Sequence, residues 1–246
     1  MTVSSDAPAP ARLDDADISR VLVVIAHPDD AEYGNSAAVA AWTDRGVEVA
    51  YLLLTAGEAG MQLPPEETAP LRAEEQRRAC DVVGVRRLAI LNFPDGMLEY
   101  GLELRRAIAR EIREFRPDAV ICGSGSLKVG WGLDHPDHRA AGLAAIDATR
   151  DADNRWVFPE LARDEQLAPW GTTWLLLTGG DATHYVEVSD ADVSRAVASL
   201  QQHRAYLAEL PWHPAPEDFI PELLAEGGQR SGVPYAVTYE AHRLRG

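Results

Sequence analysis

The chain has 246 residues, 46% of them hydrophobic and 25% charged, which suits one or two globular domains and lies far from disordered, collagenous or membrane compositions. Its 23 Lys and Arg against 39 Asp and Glu leave a formal net charge of −16. That argues against nucleic acid or an anionic membrane surface as partner, because phosphate binding draws on Lys/Arg patches.

Residues 1–20 have no basic start and no apolar stretch, so they read as a flexible N-terminal arm rather than a signal peptide. Val21 to Ala26 is a continuous apolar run, as expected of a strand buried on both faces. A helix follows to about Arg45, with Gly46 as its C′ residue, and Val47 to Thr55 reads as a second strand. Pro70 to Val83 is a predicted helix ended by Gly84, then Leu88 to Leu91 a strand and Gly101 to Phe115 a helix. Arg116-Pro117 breaks the pattern before a strand at Asp118 to Cys122. A helix over Asp137 to Thr149 comes next, then strands at Thr173 to Thr178 and His184 to Val188. A further helix opens at Ser189-Asp190, and a Pro-rich stretch from Pro211 to Pro234 reads as irregular. Cys80 and Cys122 sit in apolar contexts and are too few for a disulfide framework, which fits reduced core thiols in a cytoplasmic protein.

This alternation predicts an α/β fold: a Rossmann-like, doubly wound, mostly parallel sheet with helices on both faces, plus an irregular C-terminal segment. Residues 21–246 form one catalytic domain in this reading.

Two strings carry chemistry. The first strand runs into His27-Pro28-Asp29-Asp30, with Glu32 just beyond, and Asp134-His135-Pro136-Asp137-His138 follows the fourth. Ligands of open α/β sheets bind beyond the C-terminal ends of the strands, at the switch in strand order. With the order 3-2-1-4-5, both strings face one crevice. His27 and Asp30 are i, i+3, as are His135 and His138, and on a first helical turn that spacing shares a face. Two imidazoles and a carboxylate suit a catalytic zinc site with an open position, and a free carboxylate, Asp29 or Asp137, suits a general base. Taken singly, each His-Pro-Asp is equally a capped helix start. Spacing leaves open which three groups bind, and whether two metals serve a phosphoesterase instead.

The strings Ala26-His27-Pro28-Asp29-Asp30-Ala31-Glu32 and His135-Pro136-Asp137-His138 resemble the PIG-L/LmbE-like de-N-acetylase family. The resemblance extends through Leu54 to Gly60, Arg72-Ala73-Glu74-Glu75, Phe93-Pro94-Asp95-Gly96 and Thr183-His184-Tyr185-Val186. It implies a metal-dependent hydrolase, usually with zinc, that removes acetyl groups from N-acetylglucosamine-type sugars. By resemblance His27, Asp30 and His138 are metal ligands and Asp29 is the general base. His135 stabilises the oxyanion or protonates the leaving amine, oriented by Asp137. Ferrous iron accepts the same ligands.

Arg72 and Asp95 resemble the family's sugar-hydroxyl contacts, though a surface helix pairing with Glu75 or Gln76 and a Pro-Asp-Gly turn explain them as well. Trp131 is a candidate stacking residue or a loop anchor. His184 is a candidate crevice residue or a structural histidine. Glu32 suits a loop-holding role, and His203 receives none. Some family members place a mobile tyrosine shortly before the second histidine string. Here Trp131-Gly132-Leu133-Asp134 stands there, without one.

The expected partner is a small amino-sugar conjugate, with the homo-oligomeric state left open. The alternative is a metal-dependent amidase that removes another acyl group from an amino-sugar natural product or thiol conjugate. A dinucleotide site is excluded because Gly123-Ser124-Gly125 is followed three residues on by Lys128, and the first strand leads into His-Pro-Asp-Asp.

Overall fold

The computed structural model describes residues 8–130 and 132–245. In chain order the elements are β1 (Ala11–Arg12), β2 (Arg20–Ile25), α1 (Ser36–Asp44), β3 (Glu48–Leu53), α2 (Pro65–Val83) and β4 (Arg87–Ile90). Next come α3 (Leu102–Phe115), β5 (Ala119–Gly123), a hairpin of β6 (Lys128–Val129) and β7 (Gly132–Leu133), α4 (Pro136–Asp153) and α5 (Pro159–Arg163). The chain closes with β8 (Trp174–Thr178), β9 (His184–Glu187), α6 (Asp190–Leu200), α7 (Arg204–Ala208), α8 (Pro216–Ser231) and β10 (Ala236–Arg243).

The main sheet has the order β1-β9-β10-β8-β5-β2-β3-β4. Its parallel half, β4-β3-β2-β5-β8, is the expected 3-2-1-4-5. The central strands β2, β3 and β5 are buried on both faces, and alternate residues serve opposite cores. Val21, Val23 and Ile25 pack with Trp42 of α1, Cys80 of α2, Leu200 of α6 and Leu224 of α8. Leu22 and Val24 pack with Ile108 and Ile112 of α3 and with the alanine face of α4. That two-sided packing makes the sheet doubly wound. No helix among the described residues is long and apolar enough to cross a membrane.

Both ends of the chain depart from expectation. The proposed arm is ordered over part of its length: Ala11 and Arg12 pair with His184 and Tyr185, and Leu13 and Ile18 are buried. The Asp15 carboxylate accepts the Trp42 indole N–H at 2.8 Å, tying this segment to α1. The C-terminal segment is not irregular either. Pro216 occupies the first helical position of α8, where no N–H is needed. β10 then enters the sheet antiparallel, with Ala236 to Tyr239 on β9 and Glu240 to Arg243 on β8.

Candidate metal centre and active site

β2 and β5 are neighbours, so the loops leaving their C-terminal ends share the crevice at the switch in strand order. The two loops are built differently. After β5 and its hairpin, α4 starts at Pro136, with His135 as N-cap accepting the Asp137 N–H at its Nδ1. After β2 no helix forms until Ser36, and residues 26–35 are bends and turns. The shared helical face expected of His27 and Asp30 is therefore absent. Asp30 instead folds back, its Oδ2 accepting the backbone N–H of His27 at 2.8 Å and of Ala26 at 3.1 Å.

The histidine and aspartate side chains then converge. Asp30 Oδ1 lies 3.1 Å from His138 Nε2, and its Oδ2 lies 3.5 Å from His27 Nδ1. Each imidazole has a carboxylate on its far nitrogen. His138 Nδ1 is 3.0 Å from Asp134, and His27 Nε2 is 3.0 Å from Asp95 and 3.2 Å from Asp137. Each far nitrogen is held by an ionised carboxylate that only accepts, so a cation displacing the inner protons would meet His27 Nδ1 and His138 Nε2 as lone pairs beside Asp30. Burial alone pulls both imidazoles toward the neutral form. The Asp30 charge and the hydrogen-bonded carboxylates outweigh it, holding His27 up to about 12 and His138 up to about 9. A place where acidic groups draw positive charge onto two nitrogens fits a divalent cation held by two imidazoles and a carboxylate.

His135 belongs to the same cluster, its ring 5.2 Å from His27 and 5.3 Å from His138. Nitrogens of these three histidines come within 4.8 Å of one another, as do donors of His27, Asp95 and Asp137. Burial and the two neighbouring imidazoles hold His135 below the ordinary histidine value. Since its Nδ1 accepts from the α4 backbone, the proton of the neutral ring sits on Nε2.

Asp137 is fully buried, and its carboxylate does not face His135. It accepts the Gly96 N–H at 2.7 Å and the Leu98 N–H at 3.1 Å, and it meets His27. The carboxylate expected beside His135 therefore meets His27, with the loop after β4 closing on it from the other side.

Asp29 adopts φ +85°, a left-handed conformation uncommon for a residue with a Cβ. Burial, partly opposed by the Arg72 charge, pushes its carboxyl up to about 7. Arg72 is neither exposed nor paired with Glu75 or Gln76. It is 2% exposed, donates to Asp29 Oδ1 at 3.2 Å, to Pro28 O at 2.6 Å and to Gly57 O at 3.1 Å, and lies 4.0 Å over the Tyr206 ring. Gly57 and Gly60 are required beside it, since a Cβ at either would fall inside the guanidinium. Asp95 does sit in a turn, before Gly96 at φ +79°, but its carboxylate bridges His27 and the Ala59 N–H. The partners of His184 are Thr183 and Trp174 rather than the cluster. Trp131 lies outside the described residues.

Sequence reasoning missed Asp134 as the partner of His138, although i, i+4 spacing on the string was the available signal. It also missed Tyr206, which lies in no motif. Burial, followed by the Asp29 charge, pushes the Tyr206 hydroxyl up to about 12.

Residues 22–149 match the PIG-L family, described as GlcNAc-PI de-N-acetylase. Diacetylchitobiose deacetylase of Thermococcus kodakarensis is 30% identical, over 89% of this chain and 82% of that protein. The 1D-myo-inositol 2-acetamido-2-deoxy-alpha-D-glucopyranoside deacetylase of Kineococcus radiotolerans is 32% identical, over 79% and 68%. Among solved structures, N,N'-diacetylchitobiose deacetylase from Pyrococcus horikoshii superposes with a TM-score of 0.83 at 25% identity, covering 93% of this chain and 85% of that one. The chain therefore belongs to the PIG-L family of de-N-acetylases and is an enzyme that hydrolyses N-acetyl amides.

Proposed function

We propose that the chain is a zinc-dependent deacetylase of an N-acetylglucosamine-type conjugate, with His27, Asp30 and His138 as metal ligands and Asp29 as general base. The observation that carries this reading is the approach of His27 Nδ1 and His138 Nε2 to the two oxygens of one carboxylate, Asp30. His135 is left out of the ligand set because its Nδ1 is engaged as the N-cap of α4. Relatives that act on diacetylchitobiose and on an inositol glucosaminide support the amino-sugar substrate.

When bound, a divalent ion polarises the amide carbonyl and lowers the pKa of water. Asp29, buried and restrained by Arg72, accepts the proton of the attacking water. His135 offers its Nε2–H to charge that develops on the acyl oxygen, or to the departing amine. Asp137 and Asp95 hold the His27 ring in one tautomer, and Asp134 does so for His138.

The test is acetate release by the zinc-loaded protein from N,N'-diacetylchitobiose, an N-acetylglucosaminyl inositol and a glycosylated aromatic aglycone, with longer-acyl analogues alongside. Release by wild type and severe loss in His27→Ala and Asp29→Ala establish the reaction. Turnover confined to the longer acyl groups would replace deacetylation of sugars with a wider amidase activity.

A further inference from the structure

Beneath the Asp29 turn lies a set of buried polar side chains that the proposed chemistry does not use: Glu32, Gln76, Ser199 and His203, each 1% exposed or less. Gln76 Oε1 accepts the Asp29 backbone N–H at 2.9 Å, and its Nε2 is 3.2 and 3.4 Å from the two Glu32 oxygens. Chemistry dictates that orientation, since a peptide N–H only donates and a carboxylate only accepts. Around Glu32, Ser199 Oγ lies 3.3 Å from Oε1 while also donating to the Ala79 carbonyl at 3.0 Å, and His203 Nε2 approaches Oε2 at 3.5 Å. Neither His203 nitrogen has a hydrogen-bond partner among the described residues.

An apolar core would fill this space without the desolvation cost that buried polar groups carry. The network leads instead to one peptide N–H, that of the residue with φ +85°. A non-glycine residue there persists only when its surroundings over-determine it. Arg72 and Gln76 are i, i+4 on α2, so a single helix face grips both the Asp29 carboxylate and its own peptide group.

We propose that Gln76, oriented by Glu32, is a positioning residue that holds the Asp29 turn so that its carboxylate is aimed at the reacting water. The proposal rests on Asp29 being the general base. A buried amide–carboxylate pair has a complementary swap that tests it. In the Gln76→Glu, Glu32→Gln double variant, the new Glu still accepts from Asp29 N–H, and the new Gln donates back to it. Gln76→Glu alone sets two carboxylates against each other, and Gln76→Met removes both hydrogen bonds.

The zinc-loaded variants are compared with wild type, on the fastest glucosaminide of the panel, for kcat, KM, bound zinc and hydrogen exchange at the Asp29 amide. Gln76→Met is expected to keep its zinc and KM while kcat falls about ten- to a hundred-fold and the Asp29 amide exchanges faster. The double variant is expected to return kcat to within about threefold of wild type. Should Gln76→Met not fold, Gln76→Glu against the double variant decides the same point. Unchanged kcat in the single variant, no recovery in the double, or a loss that follows zinc content would each overturn the positioning role. Asp29→Asn in the same assay separates the two readings. Full activity there removes Asp29 as base, whereas inactive Asp29→Asn beside active Gln76→Met removes only the role of Gln76.

Discussion

Arg72 donates to Asp29 Oδ1 at 3.2 Å from a position that solvent barely reaches. The guanidinium also serves two backbone carbonyls, and a lysine ammonium cannot reproduce that planar fork. Removing one partner of a buried pair costs about 3–5 kcal/mol. Arg72→Met should therefore lower the unfolding free energy by several kcal/mol and kcat by at least about tenfold, with Arg72→Lys only partly better. Thermal melts beside steady-state kinetics check this, and a change confined to KM would return Arg72 to the role of a sugar contact.

Asp137 meets His27 Nε2 and not the His135 ring. Asp137→Asn should then weaken zinc binding about ten- to a hundred-fold, as loss of an outer partner of a ligating histidine does. Competition titration with a zinc chelator measures it. Unaltered affinity with a depressed kcat would show that Asp137 acts on His135 after all.

Gly57 has φ +66°, and a Cβ there would collide with Arg72 and approach Pro28. Gly57→Ala should destabilise the fold by about 1–3 kcal/mol and disturb the loop that carries Asp29. Gly96→Ala offers the comparison, since it has φ +79° but open space around it. Equal losses in the two variants would mean that backbone strain alone, and not the Arg72 contact, is at work.

Asp15 joins the N-terminal segment to α1 through the Trp42 indole and the Arg45 guanidinium. Burial raises its pKa, but those hydrogen bonds and the Arg45 charge outweigh it and hold the carboxyl below its ordinary value. A folded pKa below the unfolded one gives stability that is present above the unfolded value of about 3.9 and lost as pH falls through the lower folded value. Asp15→Asn should cost on the order of 1 kcal/mol at neutral pH, with the gap to wild type closing in acid. Urea unfolding at a series of pH values reads this out, and a gap that did not narrow as pH falls below the unfolded value would refute the ionic contribution.

The parallel half of the sheet is legible in the sequence because strands buried on both faces are unbroken apolar runs, of which Val21 to Ala26 is the clearest. β10 and α8 are not. Prolines in Pro211 to Pro234 suggest irregular chain, yet Pro216 sits where a helix tolerates one. β1 is two residues long and owes its existence to β9. Local pattern carries no trace of an element that only a distant partner creates.

The same division runs through the site. Strand ends, His-Pro-Asp spacing and helix starts are local, so the sequence alone brings His27, Asp30, His135 and His138 to one crevice. Which carboxylate meets which nitrogen is decided through space. Asp137 faces His27 across 110 positions of chain, and Gln76 meets Asp29 across 47. A hydrogen bond depends on the direction of both partners at once, and periodicity specifies the face of one element only. Tertiary packing therefore chose the partner of each imidazole, the inward turn of Arg72 and the grip on Asp29.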